Sequence, residues 1–161
     1  MLLFLLVITG LTSALMAGLF YAYSCSVNPG LGRLSDAAYL AAMQSINRAI
    51  LNPVFFIGFI GPVCLLPIST WLVFRQDMQP AGWLLLAATI TYLIGVFGVT
   101  GAGNVPLNNV LDKISLQDDP AALAAHRSRF EQPWNRLNTI RTIAAIATAT
   151  LVIIACLHFT H

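Results

Sequence analysis

Four stretches of this sequence, at about residues 2–25, 53–74, 82–103 and 138–159, are long and apolar enough to cross a membrane. The first three contain no Asp, Glu, Lys or Arg, and the fourth contains one such residue, Arg141. Roughly 20 apolar residues in a helix span the hydrocarbon core. Inside hydrocarbon every backbone N–H and C=O needs an internal partner, and a helix supplies one within each stretch. The four stretches fill more than half of the chain, and 9% of its 161 residues are charged, against about 25% in a soluble domain. The expected fold is all-α: a single four-transmembrane-helix domain over residues 1–161, with interfacial helical connections and the lipid bilayer as its solvent. The first stretch lacks the basic flank of a secretory signal, and its apolar run is too long for one, so it reads as a retained helix.

The connections carry their own signals. In "NPGLGRLSD" the Pro and Gly residues read as a turn, after which Ser35 or Asp36 can cap an amphipathic helix through "AAYLAAMQSINRAIL". Pro53 limits that helix, and Pro62 and Pro67 predict a kinked second span. In the third span Thr91, Gly95 and Gly98 share a face suited to close packing against another helix. Asp118, Asp119 and Pro120 open an Ala-rich link that reads as a capped helix lying at the membrane surface. Arg33, Arg48, Lys113, Arg127, Arg129, Arg136 and Arg141 flank one side of the spans and only Arg75 the other. By the positive-inside rule this predicts both termini outside the cytoplasm, in a cell or inner membrane.

Several functions are set aside by what the chain lacks. Its Lys and Arg are scattered, so nucleic acid is not an expected partner. Cys25, Cys64 and Cys156 have no metal-ligand spacing and read as packing residues. His126, His158 and His161 fall at opposite ends of the expected fourth span's region, so neither a metal nor a haem is expected. "GVFGVTGAGNVP" has no strand–turn–helix around it and is no dinucleotide site.

Polar residues instead gather where three apolar segments end on one membrane side. Gln44, Arg48 and Asn52 recur at helical spacing with Asn47 beside them; Asn104 and Asn108 lie one turn apart with Asn109 adjacent; Trp134, Asn138 and Arg141 share a face. Arg141 lies ~10 Å along the helix from Trp134. Arg141 could snorkel to the headgroups and Trp134 could join an aromatic belt. The short amides cannot snorkel, and unpaired in hydrocarbon they cost several kcal/mol, so they should face each other, Arg141 or a ligand. Asn47, Asn52, Asn104, Asn108, Trp134, Asn138 and Arg141 are therefore expected around one polar pocket at the mouth of the bundle.

"GLFYAYSCSVNPGL", "MQSINRAILNPVF", "GNVPLNNVL" and "WNRLNTIRT", in this order, resemble the anthrone oxygenase-like family of small four-helix membrane proteins, long catalogued as a domain of unknown function. The resemblance implies oxidation of a hydrophobic anthrone- or quinone-like molecule by molecular oxygen, without a conventional metal or flavin cofactor. On that basis Asn138 and Arg141 would be catalytic, stabilising an enolate-like anion, and Asn47, Asn52, Asn104, Asn108 and Trp134 would bind substrate. Many family members have a histidine where this chain has Asn138, and a base supplied there is missing here; the alternatives are His126 and ionisation of the substrate before it enters. Two other classes fit the same residues: a non-catalytic small-molecule binder or accessory protein, and a transporter. Transport is disfavoured because the polar residues sit at one face rather than at the midplane. Self-association into a homo-oligomer stays open. The topology is testable: a reporter fused after His161 that is active only in the cytoplasm should stay silent, and activity would reverse the orientation.

Overall fold

The computed structural model describes residues 1–159, so His161 lies outside the described residues. All regular structure among them is helical: α1 (Leu2–Leu31), α2 (Asp36–Ala49), α3 (Pro53–Phe74), α4 (Gln79–Leu111) and α5 (Pro120–Leu157). All but α2 are long and apolar enough to cross a membrane, and the protein is an integral membrane protein. The large side chains facing outward, such as Val54, Ile57, Ile94 and Ile143, are apolar as a lipid-facing surface requires.

The four long helices close a ring in which α1 packs on α3, α3 on α4, α4 on α5, and α5 back on α1. A side-chain hydrogen bond crosses three of these seams between short hydroxyls. Thr9 and Ser69 meet at 3.0 Å, Thr70 and Thr89 at 3.0 Å, and Ser24 and Thr142 at 2.8 Å. Water cannot compete for such groups in a bilayer interior, and small side chains let the backbones approach. Tyr92 adds a 2.8 Å bond to the Phe59 carbonyl, beside the Gly58 carbonyl that Pro62 leaves without its helical donor. Thus α3 runs on through Pro62 and Pro67, and next to the orphaned carbonyl a neighbouring helix ties down the Phe59 carbonyl.

Three elements outrun their expected ends. The turn expected in "NPGLGRLSD" falls in its second half, at residues 32–34, and the first half is helical: α1 continues to Leu31 through a π-helical segment, Tyr23–Val27. The third span continues past residue 103 to Leu111, with π-helical segments at Leu93–Gly98 and Thr100–Asn104. The largest difference is in α5. Its start is the expected one, Asp119 accepting from the N–H groups of Ala121 and Ala122 at 3.0 Å, yet it then runs unbroken for 38 residues. That is about 57 Å of helix, nearly twice a hydrocarbon core. No separate surface helix precedes the fourth span, because the Ala-rich half buries its own apolar face. Leu123, Phe130 and Trp134 pack against Tyr39, Leu40 and Met43 of α2 and Leu111 of α4, forming a second core beyond the transmembrane one.

Arg127 fixes this second core. Its guanidinium donates to the carbonyls of Leu34 and Gly32 at 2.8 and 2.9 Å, to Asp36 at 3.0 Å and to Glu131 at 2.7 Å, while lying over the Tyr39 ring. The loop joining α1 to α2 thereby gains donors for carbonyls that no helix satisfies. Burial lifts the Tyr39 phenol far above its ordinary range, with Glu131 adding and Arg127 opposing, so it stays neutral.

Gly95 meets the expectation of close packing: a Cβ there would fall 2.6 Å from the Ala144 Cβ of α5. Gly98 does not, since it is exposed and a Cβ there would meet the Leu93 carbonyl of its own helix. Gly95→Ala should therefore destabilise the bundle by about 1–3 kcal/mol through overpacking. Unfolding in detergent should show that loss, and Ala144→Gly in the same chain should recover most of it.

Candidate functional site

Both Tyr23–Val27 and Thr100–Asn104 pack on α5. A π turn widens the helix locally and re-aims the residues that follow, and such turns recur at functional sites. Here they bring Tyr23, Thr100 and Asn104 to the inner side of the bundle, opposite Trp134, Asn138 and Arg141 of α5. Between them lies a cavity of about 140 Å³. Its remaining wall is apolar, chiefly Leu19 and Phe20 of α1, Ile50 and Leu51 after α2, and Phe55, Phe56 and Phe59 of α3.

Arg141 forms the polar end of this cavity and is 6% exposed. One terminal nitrogen donates to Asn138 Oδ1 at 3.0 Å and the other reaches Thr100 Oγ1 at 3.5 Å. The guanidinium carbon lies 4.5 Å from the Phe20 ring centre and 5.3 Å from that of Trp134. Among the described residues no carboxylate pairs with it; the ion pairs found are Arg48–Asp112, His126–Asp118, Arg127–Asp36 and Arg127–Glu131. An arginine near a helix centre costs ~2.5–3.5 kcal/mol on insertion scales. Two desolvated aromatic faces can return about 0.5–2 kcal/mol each. The cation is thus tolerated with its charge unneutralised.

The amides divide into two groups. Asn138 is fully buried and fully engaged: its oxygen accepts from Arg141, and its nitrogen donates to Ser24 Oγ at 2.9 Å and to the Phe20 carbonyl at 3.3 Å. It holds the guanidinium in place. Asn108 accepts the Trp134 indole N–H at 2.9 Å, and the Trp134 ring is also packed by Tyr23 at 5.5 Å. Trp134 is therefore a fixed wall of the cavity. Asn104 is 2% exposed, and neither its nitrogen nor its oxygen has a hydrogen-bond partner. Asn47 Nδ2 and Arg141 Nε are likewise buried without one. A buried polar atom left unpaired costs about 1–3 kcal/mol, and all of these belong to residues lining one cavity.

Of the residues expected at the pocket, Asn47, Asn104, Asn108, Trp134, Asn138 and Arg141 line it and Asn52 does not. Asn52 caps α3, accepting from the Phe55 N–H at 3.0 Å and donating to the Ala49 carbonyl at 2.9 Å. An Asn before Pro at a helix start has that use close at hand. Gln44 and Arg48 are also elsewhere: Gln44 donates to the carbonyls of Leu111 and Ile114, and Arg48 pairs with Asp112 at 2.6 Å on the surface. His126 faces Asp118 at 3.8 Å and does not line the cavity, which removes it as a base there. Sequence reasoning missed Phe20, Tyr23 and Thr100 in the lining, and the Ser24–Thr142 bond behind Asn138. The signal for Tyr23 and Ser24 was their place at the polar end of the first span, on the same side as the asparagines. Among the described residues no three His, Cys, Asp or Glu side chains gather where one metal ion could bind.

A family model described as anthrone oxygenase matches residues 52–151, which include Asn104, Asn108, Trp134, Asn138 and Arg141. No curated protein and no solved structure matches the chain.

If Asn138 holds Arg141 as the geometry indicates, Asn138→Ala should cost more than its own lost bonds. It strands the guanidinium, and the expected loss is about 1–3 kcal/mol in detergent unfolding. Asn138→Asp should supply the missing counter-charge but lose the donation to the Phe20 carbonyl, and so should recover only part of that loss. Equal stability of Asn138→Ala and the parent protein would remove Asn138 from this role.

Proposed function

Since the chain belongs to the anthrone oxygenase family, we propose that it oxidises an anthrone- or quinone-like aromatic molecule with dioxygen inside the membrane. One observation carries this reading: a buried arginine without a carboxylate partner among the described residues forms the polar end of a cavity whose other walls are largely aromatic and aliphatic. Such a site suits a flat apolar molecule bearing one localised negative charge.

An anthrone has that character. Its methylene is acidic because the carbanion delocalises onto the carbonyl oxygen, so the molecule loses that proton to water before it enters the cavity and arrives as the anion. Arg141, fixed by Asn138 and flanked by Phe20 and Trp134, would bind that charged oxygen. Preorganised donors at a developing oxyanion supply several kcal/mol in a water-poor site. The anion gives an electron to dioxygen, and the radicals combine to form a carbon–oxygen bond. Protonation yields a hydroperoxide, which loses water to become a second carbonyl. In sum, CH2 and O2 become C=O and H2O, and the substrate supplies all the electrons. The unpartnered Asn104 amide can donate to the peroxide oxygen and accept from its proton. Arg141 is then the catalytic residue, Asn138 a positioning residue, and Asn47, Asn104, Asn108 and Trp134 binding residues. The reading includes the non-cytoplasmic placement of both termini.

A second reading is favoured by one feature: among the described residues no carboxylate and no imidazole lines the cavity. A protein that binds the same anion without turning it over needs no base. Oxygen consumption by purified protein given an anthrone separates the two. If the arginine stabilises the anion, Arg141→Lys should keep part of the turnover while losing guanidinium geometry. Arg141→Met should lose at least tenfold, equivalent to ~1.4 kcal/mol of transition-state stabilisation. Unchanged turnover in a folded Arg141→Met protein would defeat the proposal. Tight binding without oxygen uptake would establish the binder.

A further inference from the structure

The inner cavity is small for the ligand it is proposed to take. A closed apolar cavity of about 150 Å³ holds a single benzene, and this one measures about 140 Å³. A three-ring molecule with one ring against Arg141 must therefore extend beyond it. Only certain directions are available, because α1, α5 and the Phe55–Phe59 stack close the other sides.

A second cavity of about 190 Å³ lies between the C-terminal end of α2 and the last turns of α4. Asn47, Ile50, Leu51, Val105 and Asn108 line both cavities, so the two adjoin across these shared side chains. The outer one adds Arg48, Asn109 and Asp112, which places amides and an ion pair where the inner one has phenylalanines. At the junction, Asn47 Nδ2 is buried with no partner. At the outer rim, the Arg48–Asp112 pair is more than half exposed on both sides, so it is a weak closure, worth about 0–1 kcal/mol. The floor of the passage is thus apolar and its rim polar.

Resting on the aromatic-ligand reading above, we propose that this outer cavity is a second binding subsite, which takes the distal rings of a fused polycyclic ligand. Its chemistry selects ligands that carry an oxygen substituent, a hydroxyl or a carbonyl, on a ring remote from the reacting carbon. Asn47 is the donor placed for that oxygen, and Asn109 bounds the space. The passage opens beside Leu51 and Val105, both exposed on the outer surface of the bundle, so a ligand dissolved in the bilayer reaches the subsite from the side. Selectivity for substituted polycycles then resides in α2 and α4, apart from the arginine that acts on the reacting ring.

The test is a binding titration under argon, which prevents turnover, using the purified full chain in detergent. The probes are phenol, unsubstituted anthrone and an anthrone hydroxylated on an outer ring. Asn109→Trp fills the outer cavity and should weaken both anthrones about tenfold or more, with phenol binding within a factor of about two of the parent. Asn47→Leu removes the unpartnered donor and should weaken the hydroxylated anthrone roughly tenfold relative to the unsubstituted one. The second variant adds no bulk and guards against misfolding of the first, and thermal melting confirms that each is intact. Anthrone binding unchanged in both variants overturns the outer subsite, as does an equal loss for phenol and anthrone in Asn109→Trp. Failure of the underlying reading looks different: Arg141→Met would then bind all three probes as tightly as the parent protein.

Discussion

A guanidinium without a carboxylate inside an apolar bundle sets conditions on every helix around it. Charge in a low dielectric is held by attraction or not at all, and here the attraction comes from an amide oxygen and two ring faces. Phe20 is contributed by α1; Trp134 and Asn138 precede Arg141 on α5. Asn138 can serve only because Ser24 and the Phe20 carbonyl accept its amide protons, and Ser24 in turn meets Thr142 one turn beyond Asn138. The seam between α1 and α5 is therefore built around the arginine. At two other seams the helices are joined by bonds between uncharged threonine and serine hydroxyls.

The length of α5 follows from the same arrangement. A helix ending at the membrane surface near residue 138 would leave Trp134 unsupported. Because α5 continues outward, Phe130 and Leu123 pack on Tyr39, Leu40 and Met43, and the second core holds Trp134 from the far side. That core also brings the end of α2 over the cavity, where Asn47 and Ile50 complete the lining. Arg127 and Arg48 owe their positions to these packings, one binding loop carbonyls and the other Asp112. As topology signals they count for less than Arg33, Lys113, Arg129 and Arg136, which still outnumber Arg75 on the opposite flank.

What could be read from the sequence depended on how many uses a residue type has in a bilayer. Long uncharged runs have one use, and the four spans were legible for that reason. Asparagine at helical spacing beside Arg141 has few, and Asn104, Asn108 and Asn138 do share a cavity. Asn52 has two, and its neighbour Pro53 made it a helix cap. Pro29 and Gly30 ordinarily signal a turn, yet the π segment before them lets α1 continue. No local pattern marks a π segment, so the inward placement of Thr100 was hidden, and for Tyr23 only its place at the polar end of the first span hinted at it. An aromatic at the end of a span also reads equally well as belt or as lining.

Placing such a site in a membrane has a chemical rationale on the proposed reading. Polycyclic aromatics and dioxygen are both apolar, so both concentrate in hydrocarbon and reach the cavity from the same phase. Water is the reagent to limit, since a hydrated enolate is stabilised by solvent and gains little from an arginine. The aromatic wall of Phe20, Phe55, Phe59 and Trp134 restricts water, and Arg141 replaces the hydration that the anion gives up. The same exclusion bears on why, among the described residues, all but one of the buried unpaired side-chain atoms, Asn135 Oδ1, belong to residues lining this cavity. Dispersed through the bundle, each would carry its own penalty with no return; on Asn47, Asn104 and Arg141 they would, on the proposed reading, offer donors to one small molecule. The stability surrendered at these atoms is then what binding the oxyanion can recover.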